Sequence, residues 1–94
     1  MRILLTNDDG IHATGLWAMA ETLSTVASVS VVAPDRDQSG IGTARSLRSA
    51  IRIHSFVSPT PVASAVSVEG TPSDCVILAT EMLDPNGFDM VFSG

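Results

Sequence analysis

Residues 2–10 read Arg2-Ile3-Leu4-Leu5-Thr6-Asn7-Asp8-Asp9-Gly10. Ile3 to Thr6 is a short apolar run halted by a cluster of turn formers, which reads as a buried strand ending in a loop. Beyond that loop, apolar residues recur at Leu16, Trp17, Met19, Ala20, Leu23 and Val26. That spacing is helical, with a start around Thr14 and Gly15. Val29 to Ala33 is a second strand-like run, closed by Pro34 and Asp35 because proline cannot continue a central strand ladder. The unit is therefore βαβ, which predicts two parallel strands joined by a right-handed crossover.

Outward from this unit the pattern changes. Asp35 to Gly42, DRDQSGIG, has no apolar periodicity and two glycines, so it reads as a loop of functional length. Leu47, Ser49, Ile51, Ile53 and Val57 then alternate with Arg48, Ala50, Arg52, His54 and Phe56, a period of two that fits a half-exposed strand. Pro59 and Pro61 break it, and alternation resumes at Val62, Ser64, Val66 and Val68. The two segments are expected to pair as a hairpin. Thr71-Pro72-Ser73-Asp74 has the chemistry of a helix entrance, with Thr71 as N-cap, Pro72 in the first helical position and Asp74 reaching back as in a capping box. The helix is predicted to run to about Leu83, Asp84 to Gly87 to end it, and Phe88 to Phe92 to form another strand. A parallel strand that needs both faces covered normally leads on to a helix, yet only Ser93 and Gly94 follow Phe92. The expectation is the amino-terminal portion, residues 1–94, of a larger single domain.

Composition agrees with an α/β class. Hydrophobic residues make up 45% of the 94 positions and aromatic ones 4%, so the core is aliphatic, as in layered helix-on-sheet packing. The formal net charge of -5 opposes a surface built to neutralise a phosphate backbone, which argues against nucleic acid as a polymeric partner. One cysteine, Cys75, cannot close an internal disulfide, and there is no CxxC or Cys/His cluster for zinc. No signal-peptide pattern and no run of roughly 18 apolar residues is present. These features lead to the expectation of a soluble, cytoplasmic protein without a membrane partner.

Ligands of open α/β sheets bind beyond the carboxyl ends of the strands, which singles out Asn7 to Gly10, Asp35 to Gly42, and Ser93-Gly94. Adjacent carboxylates on Asp8 and Asp9 repel each other unless a cation lies between them or one is protonated. Two carboxylates plus neutral oxygens make a hard site suited to Mg²⁺ or Mn²⁺, with Ser39 a candidate neutral ligand. Such an ion polarises a phosphoryl oxygen and activates water while a carboxylate acts as base. Asn-Asp-Asp-Gly is equally good turn and capping chemistry, and spacing alone does not separate the two readings. His12, near the acidic turn, has no visible partner, and His54 is expected on the surface. Cys75, Trp17 and the methionines are expected in the core.

Four motifs in order, RILLTNDDGI, VVAPDRDQSGIG, GTPSDCV and DMVFSG, together resemble the amino-terminal part of the stationary-phase survival protein SurE family. The resemblance covers essentially the whole chain. It implies a Rossmann-like three-layer sandwich with a mainly parallel sheet. It also implies a metal-dependent 5'-nucleotidase that removes phosphate from nucleoside 5'- and 3'-monophosphates and, in some members, acts on short polyphosphate. By position the family's paired metal-binding aspartates fall on Asp8 and Asp9, the expected catalytic pair, and its loop serine ligand on Ser39. One Mg²⁺ or Mn²⁺ per subunit is implied. The fourth ligand, an asparagine following the closing Ser-Gly, falls past Gly94, and Thr14 stands where the family commonly has proline. The resemblance also implies a homodimeric or homotetrameric full-length protein.

Other classes make distinguishable demands. A receiver-like Mg²⁺-binding signalling module needs a phosphoacceptor aspartate at the end of its third strand and a lysine; Ile53-His54-Ser55 offers no aspartate, and the chain has no lysine. A dinucleotide-binding domain needs its glycine fingerprint opening the first helix, where only Gly10 and Gly15 stand. A haloacid-dehalogenase-like phosphatase needs Asp-x-Asp rather than adjacent aspartates. The remaining alternative is an inactive fragment of the nucleotidase.

Overall fold

Ile3, Leu4 and Leu5 are excluded from solvent on both sides of β1 (Arg2–Thr6), as expected of a strand covered on both faces. The computed structural model describes residues 1–36, 52–83 and 87–94. Its elements follow as α1 (Thr14–Ser24), β2 (Ser28–Pro34), β3 (Ile53–Ser55), β4 (Ser64–Val68), α2 (Pro72–Leu78) continued by a π-helical segment at Ala79–Leu83, and β5 (Met90–Ser93). The five strands form one sheet in the order β3-β4-β2-β1-β5. β1 is parallel to both β2 and β5, β2 is parallel to β4, and only β3 runs antiparallel, against β4.

Alternation along the strands builds two cores. Ile3, Leu5, Val29, Val31 and Ala33 meet Leu16, Trp17 and Ala20 of α1, whereas Leu4, Val32 and Val68 meet Cys75 and Leu78 of α2 and Ala79. The helices therefore lie on opposite faces, and the architecture is the expected α/β, Rossmann-like three-layer sandwich. The α1 helix starts at Thr14 but stops at Ser24, leaving Val26 75% exposed. Thr71 caps α2 with the full capping box: its hydroxyl accepts from the Asp74 N–H, and the Asp74 carboxylate accepts from the Thr71 N–H.

Two expectations need correction. Met1, Met19 and Met90 are exposed rather than core, because Met19 falls off the buried stripe of α1 and the other two sit at a terminus and on an outer strand. Among the described residues the first hairpin strand is Ile53–Ser55, paired antiparallel with β4 as expected, and its expected part at 47–51 lies outside them. Just past it the in-and-out phase is reversed. Val57 is 92% exposed, while Phe56 packs against the α1-side core and stacks on Trp17 with ring centroids 5.6 Å apart.

Candidate functional site at the carboxyl ends of the strands

From Ile3 to Ile11 every residue is buried except two, Asp8 and Asp9. The loop folds this way because Asn7 grips it from inside. Asn7 is 3% exposed; its Nδ2 donates to the Gly10 carbonyl at 3.0 Å, and its Oδ1 accepts from the Gly10 N–H at 3.1 Å. Gly10 has φ +101°, a conformation that side chains rarely adopt, and a Cβ there would stand 2.9 Å from the Arg36 carbonyl carbon. The Ile11 N–H donates to the Pro34 carbonyl at 2.7 Å, so the loop is fastened to the end of β2. Trp17 closes the far side, its Nε1 donating to the Ile11 carbonyl at 2.6 Å.

β5 completes the arrangement. The Gly94 N–H donates to the Thr6 carbonyl at 3.0 Å, and the Asp8 N–H donates to the Gly94 carbonyl at 3.4 Å. Asp8, Asp9, Asp35, Arg36, Ser93 and Gly94 thus cluster at the carboxyl ends of neighbouring strands β2, β1 and β5, where an open α/β sheet binds ligands. A cavity of about 230 Å³ lies beside Asp9, between Gly15, Leu16 and Met19 of α1 and the ends of β1 and β5.

Asp8 and Asp9 are both exposed, and no group of three His, Cys, Asp or Glu side chains forms a closed metal cage among the described residues. Asn7 is not a further donor, since its amide is committed to Gly10. Ser39 lies outside the described residues, as does the expected asparagine past Gly94. His12 does have a partner: its ring meets Phe56 edge-on, 5.4 Å between centroids. His54 is exposed as expected, and its Nε2 lies 2.7 Å from Glu69 Oε2, a contact that holds the Glu69 carboxyl below its usual range.

Sequence reasoning read Asn7 and Gly10 only as turn formers. The signal for their part in the site was an amide residue directly before the acidic pair and a glycine directly after it.

A sequence model of the family described as Survival protein SurE matches residues 3–94. A protein named 5'-nucleotidase SurE from Dehalococcoides mccartyi is 48% identical over 94 residues, covering 100% of this chain and 36% of its own length. One of the same name from Geobacter sulfurreducens is 45% identical over 94 residues and is covered over 34% of its length. The crystal structure of a SurE protein from Aquifex aeolicus superposes with a TM-score of 0.84 at 34% identity, over 100% of this chain and 37% of that one. The chain therefore spans about 36% of the length of the first of these curated relatives. With its acidic loop presented at the carboxyl end of β1 and the family match running from Ile3 to Gly94, the chain belongs to the SurE family.

Proposed function

We propose that residues 1–94 are the amino-terminal part of a single-domain, divalent-metal-dependent phosphomonoesterase that hydrolyses nucleoside 5'-monophosphates, with 3'-monophosphates and short polyphosphate as further substrates. The observation that carries this reading is the burial pattern of the first loop, in which Asp8 and Asp9 are the two exposed residues of an otherwise buried nine-residue stretch. Two like charges presented side by side on a firmly held loop favour a cation between them. The names of the relatives supply the substrate class.

The donor set fits the implied group. Asp8 and Asp9 offer hard carboxylate oxygens with solvent access, and Ser39 would add a hydroxyl, which suits Mg²⁺ or Mn²⁺ rather than a softer ion. When bound, the cation supplies Lewis-acid polarisation of the phosphoryl group and acidifies water. The chain's own work is to hold the acidic pair at the mouth of β1 and to offer a carboxylate oxygen as proton acceptor for the attacking water. Hydrolysis forms one bond from water oxygen to phosphorus and breaks the ester bond, and the nucleoside oxygen leaves with a proton. The remaining donors and the nucleoside contacts come from polypeptide corresponding to the rest of the relatives' length.

The receiver-like reading gains nothing from the fold. The strand flanking β1 opposite β2 is β5, and it leads into Ser93-Gly94 without a carboxylate. A cytoplasmic location and a homodimeric or homotetrameric full-length protein are part of the proposal; sedimentation equilibrium of the full-length protein tests the latter. No helix among the described residues is long and apolar enough to cross a membrane. The functional test is Asp8→Asn in the full-length protein. Metal-stimulated phosphate release from a nucleoside 5'-monophosphate is expected to fall by at least about 100-fold, the scale on which loss of a charged group at the reacting centre acts. Retention of full metal-stimulated release would contradict the proposal.

A further inference from the structure

We infer that Asn7 is a positioning residue for the cation site, its side-chain amide setting the spacing of the Asp8 and Asp9 carboxylates before any cation arrives. The inference rests on the metal-dependent reading above and names how that site is built. Asn7 is buried and touches Gly10 on both of its hydrogen-bonding groups, so the amide closes a ring around the two residues between them. The ring cannot slide. Gly10 is pressed against the Arg36 backbone with no room for a Cβ, and Ile11 is bonded to the Pro34 carbonyl. These contacts also tie the acidic pair to the backbone at and just past the carboxyl end of β2.

A group that orients ligands through its own hydrogen bonds, without touching the ion, acts on metal affinity by about 10- to 100-fold. Serine in place of Asn7 keeps a hydroxyl whose shorter reach serves one of the two Gly10 contacts; alanine loses both. The geometry therefore orders the Mn²⁺ affinities as unmodified, then Asn7→Ser, then Asn7→Ala. Aspartate would be a poor probe, because it adds a third negative charge to the loop.

The experiment titrates Mn²⁺ into the full-length protein and its variants and counts free ion by electron paramagnetic resonance, alongside hydrogen exchange of the Gly10 amide in the metal-free unmodified protein. The expected results are a dissociation constant raised about 10- to 100-fold in Asn7→Ala, partial recovery in Asn7→Ser, and a protected Gly10 amide before metal is added. Equal Mn²⁺ affinity in Asn7→Ala and the unmodified protein, while Asp8→Asn loses binding, overturns this inference and leaves the metal reading standing. Undiminished Mn²⁺ binding in Asp8→Asn overturns both. Should Asn7→Ala fail to fold, the Asn7→Ser titration and the Gly10 exchange rate decide; an amide exchanging at the rate of an open loop shows that no grip exists.

Discussion

At Cys75, burial decides both reactivity and the alkaline limit of stability. The thiol has no access to solvent beneath β1 and β4, and burial, reinforced by the negative charge of Asp74, pushes its pKa from the ordinary 9.0 up to about 12. The folded protein therefore keeps a proton that the unfolded chain surrenders near 9.0. In that window the folded state binds more protons, so its stability is full below about pH 9 and declines as pH rises towards 12. Cys75 is expected to react with a thiol reagent at neutral pH only at the rate of unfolding, and at once in urea. Rapid labelling of the native protein would contradict this. The same scale explains what a single residue's chemistry hides: an amide at position 7 and a glycine at position 10 hint at a grip but also suit a solvated turn, and what decides is Pro34 at the end of β2 and Arg36 just past it.

The α2 helix shows an element whose start was written locally. Its Thr71 hydroxyl donates to Asp74 Oδ2 at 3.0 Å and accepts from the Asp74 N–H at 3.2 Å, and Asp74 is only 3% exposed. Thr71→Ala is expected to lower the unfolding free energy by about 1–2 kcal/mol in urea denaturation, with Thr71→Ser recovering most of the loss. An unchanged denaturation midpoint in the alanine variant would show that the cap carries no stability. Elements set by such short-range patterns were legible: β1 and β2 as apolar runs, α1 as an amphipathic stripe, α2 from its capping box. Those set by distant partners were not. Phe56 faces inward because Trp17 of α1 offers it a ring to stack on, and no alternation within residues 47–57 encodes that. The π-helical segment at Ala79–Leu83 likewise has no signature in a pattern that reads as ordinary helix.

For the whole molecule, the sheet order places β5 on an outer position beside β1, with Met90 44% and Val91 50% exposed. Successive residues of a strand face opposite sides, so β5 exposes an apolar residue on each face although Phe92 packs against the α1-side core, and its outer backbone groups have no strand partner among the described residues. The isolated 94-residue chain is expected to self-associate in sedimentation, and Val91→Lys to shift it towards monomer; a monodisperse unmodified monomer would count against this. The site has the same asymmetry at this scale. Its position at the strand ends and its acidic pair were readable from Asn7 to Gly10, whereas the further donors proposed above are Ser39, outside the described residues, and residues in the rest of the relatives' length.

The most direct measurement is phosphate release from a nucleoside 5'-monophosphate by the full-length protein, first with Mn²⁺, then with chelator in excess, then with Mn²⁺ restored. The account predicts turnover that the chelator abolishes and restored Mn²⁺ recovers, because two like charges held side by side on a fixed loop favour a cation between them. Turnover that continues undiminished in chelator would contradict it.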